Sequence, residues 1–326
     1  MENLVKMFEI YKNKKVFISG HTGFKGTWLT SLLSFLEADL GGYSLAPNTE
    51  PSHFNLLDTK INSFIGDIRD SDNLKNSLLN FCPEIVFHLA AQPLVRESYK
   101  DPRTTYETNV IGTLNLLEAV KACPTIKAVV IITTDKVYEN KEWVHPYRET
   151  DELGGYDIYS SSKACTEILV KSYQRSFFAI NDYKIKHSTL ISTVRAGNVI
   201  GGGDVSKDRL MPDLISAYMN NKVPTLRYPE SVRPWQHVLD CLNGYLMVSD
   251  SLLSGKVHPM MNIGPDKESF VTVAKVAELV ASQLSVDPSW NQSESSEPHE
   301  AGLLSLDASL AKKTLGWHDK LKFTDA

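Results

Sequence analysis

Residues Lys15–Gly26 read KVFISGHTGFKG. A β-branched, apolar run meets three glycines spaced G-x-x-G-x-x-G, at Gly20, Gly23 and Gly26. Glycine lets the backbone turn tightly and approach a ligand closely. A helix opening at the end of such a turn offers unpaired N–H groups to a pyrophosphate. Trp28, Leu29, Leu32, Leu33 and Leu36 follow at helical spacing, which predicts a helix from Gly26 to Glu37. Strand, glycine turn and helix together point to a dinucleotide cradle made by Gly20, Thr22, Gly23, Phe24, Lys25 and Gly26.

Outward from this stretch the two periods keep alternating. Short apolar runs are expected as strands at Leu40–Leu45, Glu84–Ala91 and Ala128–Thr134, and Ser63–Asp70 as a brief strand and turn. Helical patterns lie between them at Ser71–Phe81 and Asn109–Ala122, and another covers Tyr159–Phe178. Continuous apolar strands separated by amphipathic helices indicate a parallel sheet covered on both faces. The fold class is therefore α/β, a doubly wound (Rossmann) parallel sheet. Residues 1–185 are assigned to the dinucleotide-binding domain, with further sheet strands near 188–196 and 233–263. Residues 197–326, where the rhythm loosens, form mainly a smaller, interleaved substrate-binding lobe.

The 326 residues carry a formal charge of -5, which argues against a nucleic-acid partner, since that would need a basic stripe. No apolar run reaches the roughly 18–20 residues of a membrane helix. The N-terminal MENLVKMFEIYKNKK has no signal-peptide core, and the four cysteines form no C-x-x-C pair. A cytoplasmic protein with reduced thiols is the expectation. The nine histidines show no ligand-like clustering, so no metal is inferred.

The second strand ends at Ser44, where an acidic residue would normally grip the ribose of NAD, and the Arg expected for NADP is missing too. This strand leaves the choice of cofactor open. Asp67 and Ile68 suit either an adenine pocket or a plain turn at a strand end. Tyr159 and Lys163 are spaced i, i+4 and share a helix face. Such a lysine lowers the tyrosine pKa by its charge and reaches a nicotinamide ribose, leaving Tyr159 as the group that takes an alcohol proton. Just past an apolar strand, Thr134-Asp135-Lys136 places an acid beside a base at the end of the sheet where open α/β folds bind ligands.

In these residues the chain resembles the extended short-chain dehydrogenase/reductases that act on nucleotide sugars. The likeness is carried by the glycine turn, HLAAQ at His88–Gln92, TNVIGT at Thr108–Thr113, TTDKVY at Thr133–Tyr138, Tyr159 with Lys163, RAGNVIGGGD at Arg195–Asp204 and RPWQHVLD at Arg233–Asp240. Thr-Asp-Lys, GHTGFKG and GGYDIYSSSK are most similar to the CDP-glucose 4,6-dehydratases. That resemblance implies bound NAD lined also by Leu89, Ala90, Ala91, Asn109 and Thr133. It implies CDP-glucose as substrate and CDP-4-keto-6-deoxyglucose as product, made by oxidation at C4, loss of water across C5 and C6, and hydride return. In that scheme Thr134 bonds the sugar 4-hydroxyl and Asp135 protonates the leaving oxygen. Lys136 either moves the C5 proton or stabilises the enolate. Gln92, Arg96, Asn198, Arg209 and Arg233 fall to the substrate, a guanidinium suiting the diphosphate. A homodimer or a dimer of dimers is implied, using the helices at Asn109–Ala122 and Tyr159–Phe178, as is a role in supplying deoxysugars for a surface polysaccharide such as lipopolysaccharide. Two departures stand out. Val205 follows Gly-Asp where relatives carry Trp, and the chain stops at LGWHDKLKFTDA, short of a further helix.

Overall fold

The computed structural model describes residues 8–293 and 301–326. Seven strands form the main sheet: β1 (Lys15–Ser19), β2 (Asp39–Ser44), β3 (Asn62–Ile65), β4 (Ile85–His88), β5 (Ala128–Ile132), β6 (Leu190–Ala196) and β10 (Met260–Ile263). Their order is β3-β2-β1-β4-β5-β6-β10 and every pairing is parallel. The central strands are buried on both faces, all five residues of β5 and all seven of β6 included. Such strands need helices on each side, and two separate apolar clusters lie on the two faces. One is built around Leu29, Leu33, Val130 and Leu242, the other around Leu78, Leu117, Val129 and Ile191.

Helix α1 spans Phe24–Phe35, beginning two residues before the sequence suggests. Gly23 takes the N-cap with extended backbone, so the helix can begin inside the glycine turn. Helix α2 covers Ser71–Phe81, its first turn closed by the Asp70 carboxylate accepting from Asn73 N–H. Asn109 lies inside a longer helical run. This comprises α3 (Val95–Lys100), α4 (Pro102–Tyr106), a π turn at Glu107–Ile111, and α5 (Gly112–Lys121). Pro102 sits in the first turn of α4, where a missing N–H costs nothing. Helix α6 (Ile158–Ser176) is capped by Asp157.

The remaining elements are smaller. Strands β7 (Asn198–Ile200), β9 (Val232–His237) and β11 (Phe270–Thr272) form a three-stranded sheet, and β8 (Thr225–Leu226) pairs with β12 (Asn291–Gln292). Helices α7 (Leu210–Met219) and α9 (Val273–Leu284) pack there around Leu214, Trp235 and Val276, in an apolar cluster of its own. Helix α8 (Val238–Leu253) follows β9 directly and returns to the main sheet, and α10 (Ser309–Leu315) packs against it. No helix among the described residues is long and apolar enough to cross a membrane.

Just after α10, Trp317 is fully buried, and its indole N–H donates 3.0 Å to the Asp240 carbonyl. Asp240 Oδ2 accepts from Lys320 and Leu321 N–H groups, fastening the following segment to the start of α8. Trp317→Ala removes the largest of the fully buried side chains. It is expected to lower unfolding free energy by about 3–5 kcal/mol, read by urea denaturation.

Candidate active site

The sheet order reverses between β1 and β4, and the loops that leave these two strands diverge there. The glycine turn leaves β1. Gly20 has φ +80°, and a Cβ on it would lie 2.7 Å from Ala90 N, in the loop after β4. A Cβ on Gly26 would lie 2.0 Å from the Gly20 carbonyl oxygen. Neither position admits a side chain, so the turn is closed backbone on backbone. The N-cap Gly23 contributes no side chain to the first turn of α1, whose N–H groups stay open to an anion. This cradle fits a dinucleotide pyrophosphate.

Other residues read as cofactor contacts occupy different places. Thr22 Oγ1 lies 2.8 Å from Ser44 Oγ and donates to the Leu45 carbonyl, joining the turn to the end of β2. Ile68 is buried, and Asp67 is gripped by Arg69 through Nε at 3.0 Å and NH2 at 2.6 Å. An adenine amine would therefore share that carboxylate with Arg69. Leu89, Ala90 and Ala91 are half-buried in the loop after β4. Asn109 has its polar atoms bonded inside the protein. Its Oδ1 accepts from Gln92 N–H at 2.8 Å, and its Nδ2 donates to the Gln92 carbonyl and Ser162 Oγ. The Gln92 side chain is likewise bonded to Leu94 and Thr105. These two residues brace the loop after β4 and do not line the cavity at the carboxyl ends of the strands.

A cavity of about 670 Å³ opens at the carboxyl ends of the strands. It brings together Lys25, Thr133, Thr134, Asp135, Lys136, Tyr159, Arg96, Asn198, Arg209 and Arg233 from seven separate stretches of chain. Thr134 caps the short 3-10 turn Asp135–Val137, and its hydroxyl donates 3.0 Å to Asp135 Oδ1. Asp135 is buried, and its Oδ2 has no hydrogen-bond partner. Burial pushes its carboxyl above the usual range, against the pull of Lys136, Thr134, Arg233 and Lys25. A buried carboxyl so placed favours its protonated form, which suits an acid. Lys136 is half-buried on the cavity wall.

Tyr159 stands in the first turn of α6, with Lys163 one turn on. Burial raises the Tyr159 hydroxyl to about 12, opposed by a hydrogen bond with Thr134 and supported by the charge of Asp135. The pKa-lowering role expected for Lys163 is not what sets this value. Lys163 Nζ donates 3.2 Å to the Ile132 carbonyl, and burial, with Lys25 beside it, lowers its own pKa to about 8. Arg96 pairs with Asp208 at 3.2 Å and Arg209 with Asp204 at 3.0 Å, both at the cavity rim. Arg233 is buried and donates to the Val232 carbonyl. His237 accepts from Leu239 N–H as the cap of α8.

Two features escape the sequence reading. Lys25 is more than a backbone element, since its Nζ reaches across to Tyr245 Oη on α8 at 3.1 Å. Below the cavity floor Glu167 binds Thr133, Thr193 and Arg195 at once. The signal for the second was present: an arginine inside the apolar strand LISTVRA requires a buried anion.

The model of a family described as GDP-mannose 4,6 dehydratase matches residues 17–326. The chain belongs to this family. A CDP-glucose 4,6-dehydratase of Salmonella typhimurium is 47% identical over 319 residues, covering 97% of this chain and 89% of the relative. Among solved structures, a dTDP-glucose 4,6-dehydratase from Streptomyces venezuelae with NAD bound superposes with TM-score 0.82, at 22% identity, covering 95% of this chain and 94% of the other. A UDP-glucose 4-epimerase from Thermotoga maritima gives the same TM-score and identity, covering 95% of each chain. The dehydratase family thus shares its doubly wound fold with epimerases, and chemistry must be argued from the cavity.

One consequence is thermodynamic. A carboxyl whose pKa is raised by folding adds stability below its unfolded value of about 3.9, and that stability is lost as pH rises through the folded value. At pH 7 the buried Asp135 therefore costs stability. Asp135→Asn is expected to melt higher than the parent at pH 7 and to lose this advantage on acidification towards pH 4, read by thermal scans across pH.

Proposed function

We propose that the protein is an NAD-dependent hydro-lyase converting CDP-D-glucose to CDP-4-keto-6-deoxy-D-glucose. The observation that carries the reading is a buried carboxyl, Asp135, with an unpartnered oxygen in the same cavity as Tyr159. An epimerisation at C4 requires no acid for a leaving hydroxyl, whereas loss of water does. Identity of 47% along nearly the whole length of a curated CDP-glucose 4,6-dehydratase supports the nucleotide and the sugar.

The chemistry supplied by bound NAD is two-electron acceptance, taken from C4 and returned at C6. The chain's own residues do the rest. The glycine turn and the start of α1 hold the pyrophosphate, and Lys163 hydrogen-bonds the nicotinamide ribose. Tyr159 receives the proton of the sugar 4-hydroxyl, which Thr134 orients. The 4-ketone makes the C5 proton acidic, and Lys136 removes it. Asp135 passes its proton to the departing oxygen at C6, so that water leaves and the charge of the enolate is relieved. Arg209 and Arg233 face the diphosphate, with Asn198 and Arg96 at the sugar and the rim, so the smaller lobe carries the nucleotide. Two copies are proposed to pair through α6 and the helical run of the π turn with α5, where Ile168 and Ile111 stand 58% and 46% exposed. Ile168→Glu is expected to yield a monomer by analytical ultracentrifugation; an unchanged assembly would rule out this interface.

The chemical reading is tested by incubating the protein with NAD+ and, separately, CDP-, dTDP-, UDP- and GDP-linked hexoses, then analysing products by mass. Loss of one water from CDP-glucose is the expected result, and a new isomer of unchanged mass would replace dehydration by epimerisation. Asp135→Asn is expected to slow ketone formation by roughly 100-fold or more. Lys136→Met is expected to slow exchange of deuterium at C5 of the ketone by at least roughly tenfold. Exchange at the parent rate would leave Lys136 an electrostatic role only.

A further inference from the structure

Tyr159, Lys163 and Glu167 lie one turn apart on the same face of α6. Only the first two enter the chemistry above. Glu167 is buried and makes three short contacts. Its Oε1 accepts from Thr133 Oγ1 at 2.5 Å, and its Oε2 from Thr193 Oγ1 at 2.7 Å and from Arg195 NH2 at 2.8 Å. Arg195, also fully buried, continues through NH1 to Tyr138 Oη at 2.9 Å, and Tyr138 Oη donates to Asn262 Oδ1 at 2.7 Å. Thr133 precedes the acid loop, and Tyr138 ends it. The loop Thr134–Val137 is thus pinned at both ends by one polar network whose only carboxylate on α6 is Glu167.

We propose that Glu167 is a positioning residue for the dehydration, its carboxylate fixing the Thr133 end of the acid loop while facing the Lys163 ammonium along the same helix. This rests on the dehydratase reading. The groups around Lys163 are Lys25 on α1, His88 on β4, the Ile132 carbonyl on β5, and Tyr159 and Glu167 on α6. Lys25 lowers the Lys163 pKa, and Glu167 raises it. Removing the Glu167 charge therefore moves Lys163 deprotonation to lower pH, whereas removing the Thr133 hydroxyl leaves it in place. A bond serving stability alone would shift neither a pH midpoint nor kcat.

The test compares full-length Thr133→Val, Glu167→Gln and the double variant. Each single change is expected to lower kcat for ketone formation roughly tenfold or more, with KM within about twofold. The double variant is expected to be no slower than the slower single, because both break one contact. Losses that multiply would overturn the proposal. Independently of turnover, NADH binding is followed by fluorescence from pH 6 to 10. The midpoint of its weakening near pH 8 is expected to fall by roughly half a unit or more in Glu167→Gln and to stay put in Thr133→Val. An unmoved midpoint in Glu167→Gln would equally overturn it. If Glu167→Gln does not fold, Glu167→Asp, which keeps the charge but shortens the reach, replaces it. It is then expected to lower kcat with the midpoint unchanged, and a parent-like kcat would overturn the proposal. Should the parent form no ketone from any donor, the dehydratase reading falls, while the binding midpoint still judges the pairing of Glu167 with Lys163.

Discussion

Everything in this molecule is hung from a contact between two stretches of bare backbone. The glycine turn folds so tightly that the Gly26 Cα meets the Gly20 carbonyl, while Gly20 itself lies against Ala90. Side chains cannot enter, so the loops after β1 and β4 touch directly at the point where the sheet order reverses. The helix axis of α1 is thereby aimed at the crevice, and its first turn faces whatever anion binds there. The strands then carry the acid loop and the tyrosine helix to the same edge, because β5 is the next strand beyond β4 and α6 is the crossover between β5 and β6.

The cavity concentrates cationic side chains. Lys25, Lys136, Lys163, Arg209 and Arg233 all act on it or line it. Arg209 is paired with Asp204 at the rim, and the remaining positive charge suits anionic ligands. Among the aspartates that also line the cavity, Asp135 is buried and has an oxygen without a hydrogen-bond partner. Four cationic or hydrogen-bonding neighbours pull its pKa down, yet burial outweighs them. The same burial raises Tyr159, so in the ligand-free chain burial favours the protonated form of both side chains.

Periodicity made the main sheet legible. Glycine spacing marked the cradle, and apolar runs such as AVVII marked strands that the structure buries completely. Helix starts were less legible, because a cap depends on backbone conformation. Gly23 acts as one where a helix from Gly26 was expected, and the π turn at Glu107–Ile111 has no signature in TNVIGT. The site residues divide along the same line. Asp135, Tyr159 and Arg233 converge because strand ends and a helix start fix their positions. Gln92 and Asn109 look like ligand contacts in sequence, but their amides serve each other and the neighbouring loop. Side-chain amides make bonds of either sense, so sequence alone does not say which partner they take. The pairing of Lys25 with Tyr245 joins residues 220 positions apart, and no local pattern could have announced it.

Between β6 and β7 lies a single residue, Gly197. A Cβ there would stand 2.7 Å from Pro234 Cγ and 3.1 Å from Asp135 Oδ2. The joint from the main sheet to the small one is therefore a fixed corner wedged against the acid. A side chain at 197 would have to push Pro234 or Asp135 aside, so this joint is held by close packing. It also means the corner resists evolutionary tinkering with length. An insertion at 196–198 would displace Asp135 and the cavity wall at Asn198 and Val199 together.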